Sequence, residues 1–122
     1  MEDKKKLVFL VDDCPTNLRI GKHVLSEKYT VVTAPSAAKL FSLLTNNHPD
    51  IILLDVYMPE MDGFSAFEIL KSKPETRDIP VLFLTGLSDP QEEQKGRNMG
   101  AVEFITKPYD PSVLIACMEK YL

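Results

Sequence analysis

Apolar residues fall into two recurring patterns along the chain. Four short runs, Leu7–Val11, Thr30–Ala34, Ile51–Leu54 and Val81–Leu84, are nearly continuous rather than alternating. Runs of that length without a polar face predict strands buried on both sides of a parallel sheet. A fifth run, Val102–Thr106, is weaker and interrupted by Glu103. Between the runs the spacing turns helical. Leu18, Val24 and Leu25 supply a stripe for a first helix, with Gly21 allowing close approach to the sheet. Ala37, Leu40, Phe41 and Leu44 repeat at i, i+3, i+4, i+7 after Ser36, a good N-cap. Phe64, Phe67 and Leu70 supply a third stripe. Leu114, Cys117, Met118 and Tyr121 supply another, after Asp110 as cap and Pro111 at the first helical position.

The segment from Pro90 to Met99 breaks the pattern. Its start is well signalled, with Asp89 as cap, Pro90 first and Glu92 as capping-box partner. Its interior is almost wholly polar and contains Gly96, so Met99 is its one evident core anchor. A weakly held helix is expected there. The resulting order is βαβαβαβαβα, without repeats, linkers or low-complexity tracts. Such alternation with short connections implies one parallel sheet with helices on both faces. Ligands of open sheets of this kind bind beyond the carboxyl ends of the strands.

Composition narrows the function classes. A chain of 122 residues, 44% apolar and 26% charged, is the size and make-up of one globular domain. Its net charge of −4 confers no general affinity for nucleic acid, and Lys4, Lys5 and Lys6, the one basic run, read as a solvated terminus. Cys14 and Cys117 form no CxxC pair, and His23 and His48 have no ligand-like spacing to them. Reduced thiols in a cytoplasmic protein are expected. Leu7–Val11 is too short for a signal peptide, and no run approaches the length of a membrane span.

At the strand ends stand residues suited to phosphate or metal chemistry. The first strand runs into Asp12 and Asp13, the third into Asp55, the fourth into Thr85 and the fifth into Lys107, while the second ends in Ala34. Each alone has an ordinary explanation. Asp13 would serve as a turn or cap before Cys14-Pro15-Thr16, and Asp55 as a turn acid ahead of Met58-Pro59. Thr85 would be a plain strand residue and Lys107 a solvated charge. Their joint placement at one sheet edge is what points to chemistry.

The blocks Val11-Asp12-Asp13, Leu54-Asp55 with Met58-Pro59-Glu60-Met61-Asp62-Gly63, Leu84-Thr85-Gly86 and Phe104-Ile105-Thr106-Lys107-Pro108 resemble the receiver domains of two-component signalling, in order and over essentially the whole chain. The resemblance implies one receiver domain over residues 1–122 with a flavodoxin-like, doubly wound five-stranded parallel sheet, order 2-1-3-4-5, and five helices. In that order strands 1, 3, 4 and 5 are neighbours and their ends converge. The resemblance also implies Mg2+ (or Mn2+) held by Asp13 and Asp55 directly, by Asp12 largely through water, and by the backbone carbonyl of Tyr57. Asp55 would accept a phosphoryl group from a histidine kinase or a histidine phosphotransfer protein. Lys107, aimed by a cis Lys107-Pro108 peptide, the Thr85 hydroxyl and the Gly86 N–H would meet the phosphoryl oxygens. Such chemistry needs positioning and charge neutralisation above all. Thr85 moving toward the group would leave a space that Phe104 fills by turning inward. That motion would pass the signal to the helix 4–strand 5–helix 5 face and its protein contacts, with homodimerisation as one outcome. Phe104 is open to a second reading, a plain core aromatic.

Two positions in the resemblance tune phosphoryl lifetime, and here they hold Tyr57 and Leu87, neither able to orient an attacking water. Slow self-dephosphorylation is therefore expected. Rival readings remain weaker. A haloacid-dehalogenase-type phosphatase would want an Asp where Tyr57 stands. A flavin carrier would want Gly, Ser and Thr where Asp12-Asp13 stand. A receiver-shaped interaction module that is never phosphorylated is the remaining alternative. The output is left open between a regulator of one domain acting by protein contact and a receiver with an attached output domain. Neither reading involves direct contact with nucleic acid or membrane, or an enzyme in the usual sense.

Overall fold

The computed structural model describes residues 5–85, 90–100, 103–106 and 110–122. The elements alternate as expected: β1 (Leu7–Val11), α1 (Pro15–Leu25), β2 (Thr30–Ala34), α2 (Ala37–Leu44), β3 (Ile51–Asp55), α3 (Gly63–Ser72), β4 (Val81–Thr85), α4 (Pro90–Asn98), β5 (Glu103–Thr106) and α5 (Pro111–Glu119). All five strands pair in parallel in the order β2-β1-β3-β4-β5. Both β3 and β4 run one residue past their apolar stretches, so Asp55 and Thr85 are themselves the last residues of their strands.

Every residue of β3 and β4 is buried, as strands covered on both faces must be. Side chains alternate between two cores. Phe9, Val11, Ile52, Leu54, Val81 and Phe83 point to one face, where Leu40 of α2 and Phe64, Phe67 and Leu70 of α3 cover them. Val8, Leu10, Ile51, Leu53, Leu82 and Leu84 point to the other, beneath Leu18 and Leu25 of α1 and Leu114 and Met118 of α5. This two-sided burial fixes strand register, since a slip of one residue would exchange the faces.

Helix starts follow side-chain oxygens. The Ser36 hydroxyl accepts from Lys39 N–H (3.2 Å), Asp62 from Ser65 N–H (2.8 Å) and Asp110 from Ser112 N–H (2.8 Å). That bond to Ser112 N–H holds the Asp110 carboxyl below its ordinary range. Helix α1 does not use the cap that the ordinary reading of Asp13 offers. Its N-cap is Cys14, which makes no side-chain cap bond; Asp13 does not cap it. Instead the Asp12 carboxylate reaches forward and accepts from Cys14 N–H at 2.9 Å. Tyr121, expected on the stripe of α5, lies beyond the helix and is exposed. The chain there closes through a Tyr121 N–H to Met118 carbonyl turn instead (3.0 Å). Cys14 and Cys117 are free thiols. The expected cap Asp89, and Val102 at the start of the fifth strand, lie outside the described residues, as does the side chain of Glu92, the expected capping-box partner.

Candidate functional site

Strand order decides which residues meet. Because β1 lies beside β3 and β3 beside β4, Val11 pairs with Leu54 and Asp55 with Leu84, and the next residues of each strand emerge at one edge. There Asp12, Asp13 and Asp55 bring carboxylate oxygens within 4.8 Å of one another. Asp12 and Asp55 are buried, at 2% and 4% exposure, whereas Asp13 is exposed and closes the cluster toward solvent. Three converging anionic groups repel, and burial of two of them raises the cost of that repulsion.

Local bonds hold the acids in place. Asp12 accepts from Cys14 N–H through Oδ1 and from Asn17 Nδ2 through Oδ2 (3.3 Å), which ties it to the first turn of α1. Asp55 Oδ1 accepts from Tyr57 N–H at 3.3 Å, which fixes the carboxylate against the turn that follows β3. Asp55 therefore does act as a turn acid, as one reading of the sequence has it, and does so without leaving the cluster.

Behind Asp55 the backbone is clamped. Gly63 N–H bonds the Val56 carbonyl at 2.8 Å, and a β-carbon on Gly63 would overlap the Asp55 carbonyl oxygen and lie 2.9 Å from Val56 Cα. No side chain fits there, so glycine lets α3 start directly against the end of β3. The intervening loop is tight. Met61 N–H bonds the Pro59 carbonyl (2.8 Å) across Glu60, whose φ of 70° lies in the left-handed region, which makes a γ-turn. Asp13, Tyr57, Met58, Pro59 and Asp62 line a shallow hollow continuous with the acids, and the Tyr57 ring is exposed at its rim. A larger hollow of about 430 Å3 lies between the far ends of α2 and α3, lined by Phe41, Leu44, Leu70 and Lys73. It sits at the opposite edge of the sheet, away from the acids, and the chemistry follows the carboxylates rather than the larger volume.

Thr85 ends β4, 3% exposed, opposite Thr106 in register, while Phe83 is opposite Phe104. Alternation therefore puts Thr85 and Phe104 on the same face of the sheet. The Phe104 ring packs on Phe83 (centroids 5.2 Å apart) and stacks on Phe64 (6.2 Å). Of the residues expected at the site, Asp12, Asp13 and Asp55 are brought together and Thr85 and Phe104 share one sheet face. Tyr57 follows Asp55, whereas Lys107, Gly86, Leu87 and Pro108 lie outside the described residues. Sequence reasoning missed Asn17 as a partner of Asp12 and Gly63 as a clamp. The only sign of the latter is its place in the Asp62-Gly63 pair.

The donor set suits a hard divalent cation. Clustered carboxylate oxygens without nitrogen or sulfur favour Mg2+ or Mn2+ over zinc. No helix among the described residues is long and apolar enough to cross a membrane.

Comparison with known proteins agrees. The model of the response regulator receiver domain family matches residues 8–119. A probable cyclic di-GMP phosphodiesterase of Vibrio cholerae is 36% identical over 123 residues, covering 100% of this chain and 28% of that protein. The response regulator PleD of Caulobacter vibrioides is 41% identical over 110 residues, covering 89% and 24%. The chain thus spans about a quarter of the length of these two relatives. Among solved structures, the chemotaxis protein CheY4 of Vibrio cholerae superposes with a TM-score of 0.91 at 28% identity, covering 97% of this chain and 99% of that one.

Proposed function

The chain belongs to the response regulator receiver domain family, and from that premise we propose that Asp55 is its phosphoacceptor and that residues 1–122 work as one receiver unit. The observation that carries the reading is the convergence of Asp12, Asp13 and Asp55 at the end of β3, with Asp55 clamped from behind by Gly63. Asp12, Asp13, Asp55 and the Tyr57 carbonyl would hold Mg2+ (or Mn2+). When bound, the cation neutralises the acids and one phosphoryl oxygen.

The remaining work falls to the chain's own groups. An Asp55 carboxylate oxygen bonds to phosphorus as the donor's P–N bond breaks, and the donor imidazole leaves with the electron pair. Buried Thr85 directs its hydroxyl to a second oxygen, and Lys107, by its place in the Lys107-Pro108 pair, meets a third. The group adds up to about two negative charges at neutral pH, which draws Thr85 toward it and frees space on the face it shares with Phe104. The partners this implies are a histidine kinase or phosphotransfer protein upstream, and a protein target or attached output domain downstream. The α4–β5–α5 face is the contact surface, homodimerisation included. The setting is the cytoplasm, and no separate substrate is turned over.

Incubation with acetyl phosphate, with Mg2+ or with EDTA, followed by intact mass, tests the reading beside Asp55→Asn. A phosphoryl-sized gain that needs both Mg2+ and Asp55 is expected. With the exposed Tyr57 two residues on and no water-orienting group there, the gain should outlast seconds; decay within seconds would remove the argument from Tyr57. If there is neither a gain nor beryllofluoride binding, the protein is a receiver-shaped interaction module instead.

A further inference from the structure

Helix α4 meets the sheet at an unusual place. Among its described side chains, Pro90, Gln91, Gln94, Lys95, Arg97 and Asn98 are exposed, and only Gly96 is buried. Gly96 faces the edge of the Phe104 ring. A β-carbon there would lie 2.5 Å from Phe104 Cζ and closer still to Cε1. Nothing but a hydrogen fits between this helix backbone and that ring. The ring is held from below by Phe83 and Phe64, and Lys95 places its ammonium over the same Phe64 ring at 4.8 Å. The half-buried Met99, one residue past the helix, adds a side contact.

We infer that Gly96 is a positioning residue: it forms the seat in which the Phe104 ring lies, so that the ring's placement and the height of α4 above the sheet are set together. A glycine in a helix interior is ordinarily a loss, because it leaves more backbone freedom to be removed and packs nothing. Here it packs a ring edge where any other residue would put its β-carbon. When the ring leaves, the one buried contact of α4 among its described side chains leaves with it, and the helix has no apolar stripe to keep its former position. The coupling of this seat to phosphorylation rests on the function proposed above; the seat itself does not.

Four proteins test it: the unaltered chain, Gly96→Ala, Phe104→Leu and the pair. Leucine keeps an apolar stem but lacks the Cε1 and Cζ atoms that crowd the seat. In open space, replacing a helical glycine by alanine raises Tm by roughly 3–6 °C. With Phe104 present the same change is expected to lower Tm, and in the Phe104→Leu background to raise it. This reversal of sign is the signature of the seat. Shifts of the same sign in both backgrounds overturn it. If Gly96→Ala does not fold, rescue by Phe104→Leu supports the seat and failure of both overturns it.

Fluorine-labelled phenylalanine supplies a second readout. The chain has six Phe, and the signal absent from Phe104→Leu identifies the ring. Gly96→Ala should displace that signal without any phosphoryl analogue. In the unaltered chain, Mg2+ with beryllofluoride should move it too, and the further change in Gly96→Ala should be at least about twofold smaller. A spectrum indifferent to beryllofluoride beside an intact reversal of sign overturns the Asp55 chemistry and leaves the seat standing. A responsive spectrum beside additive Tm shifts overturns the seat and leaves the chemistry standing.

Discussion

Helices α3 and α4 cover the same face of the sheet and are held to it by opposite means. Helix α3 buries Gly63, Phe64, Ala66, Phe67 and Leu70, begins on an Asp62 cap, and sits against the backbone of β3. Helix α4 offers an exposed polar surface and one buried glycine among its described side chains. Both meet the sheet through a glycine with no room for a β-carbon, but what blocks that room differs. At Gly63 it is main chain, which cannot turn aside; at Gly96 it is an aromatic ring, which can. The contrast divides the labour of a receiver. One helix fixes the backbone of Asp55, the proposed phosphoacceptor, and the other is seated on Phe104, the ring proposed to move.

The largest effect should come from the anchors themselves. Phe67 is fully buried and packs edge-on against Phe83 at 5.4 Å, so Phe67→Ala should cost about 3–5 kcal/mol in urea unfolding. Met99, the hydrophobic side contact of α4, is only half-buried, and Met99→Ala should cost roughly 1 kcal/mol. Equal losses would break the comparison, because α4 would then be held as firmly as α3. Amide exchange makes the same comparison residue by residue. Protection should approach the global limit in α3 and fall well short of it in α4.

Next in size is Gly63→Ala. The atoms in the way belong to Asp55 and Val56 main chain, so the substitution should cost roughly 1–3 kcal/mol and displace the Asp55 backbone. If Asp55 is the acceptor, beryllofluoride should bind more weakly as well, since its carboxylate moves with the strand. No side-chain substitution should rescue it, whereas Phe104→Leu should rescue Gly96→Ala. A protein with Gly63→Ala that binds beryllofluoride as tightly as before would show that the clamp does not position Asp55.

Much of this is legible in the residues alone. Leu7–Val11 and Ile51–Leu54 carry their burial in their composition, because only strands covered on both faces are apolar at every position. The acids are legible as strand-end residues, since an open parallel sheet gathers its strand ends at one edge. The roles of Gly63 and Gly96 are not, because a glycine's use lies in what approaches it, and Asp55 and Phe104 arrive from elsewhere in the chain. By its residue type Gly96 is a weakness of its helix, and in the structure it is where the helix meets the sheet. Asn17 gives no sign either. Its bond to Asp12 depends on how the first turn of α1 leans over the strand end, which neither residue type nor spacing encodes. Tyr121 follows the helical stripe in sequence, but the helix stops at Glu119 and periodicity says nothing about stopping.

The smallest effect concerns the strain that the firmly held side tolerates. Glu60 occupies left-handed backbone at φ 70° in a γ-turn between Pro59 and Met61, a conformation that costs a residue with a β-carbon about 1–2 kcal/mol. Strain of this kind persists only where the surroundings over-determine the backbone. They do so here, since Met58 is buried on one side of the turn and Gly63 is lodged under Asp55 on the other. Glu60→Gly should relieve the strain, but glycine also widens the unfolded ensemble by about 0.4–1 kcal/mol, so the net gain should be at most about 1.5 kcal/mol. Glu60→Ala keeps the β-carbon and hence the strain, and should stay within about 0.5 kcal/mol of the unaltered chain. Phosphorylation of both should match that of the parent, because the clamp at Gly63 and not the turn's strain holds Asp55 in place. Should Glu60→Gly be the more stable and yet phosphorylate more slowly, the strained turn would belong to the positioning apparatus. The rigid side of the molecule would then owe its precision to stored strain as well as to packing.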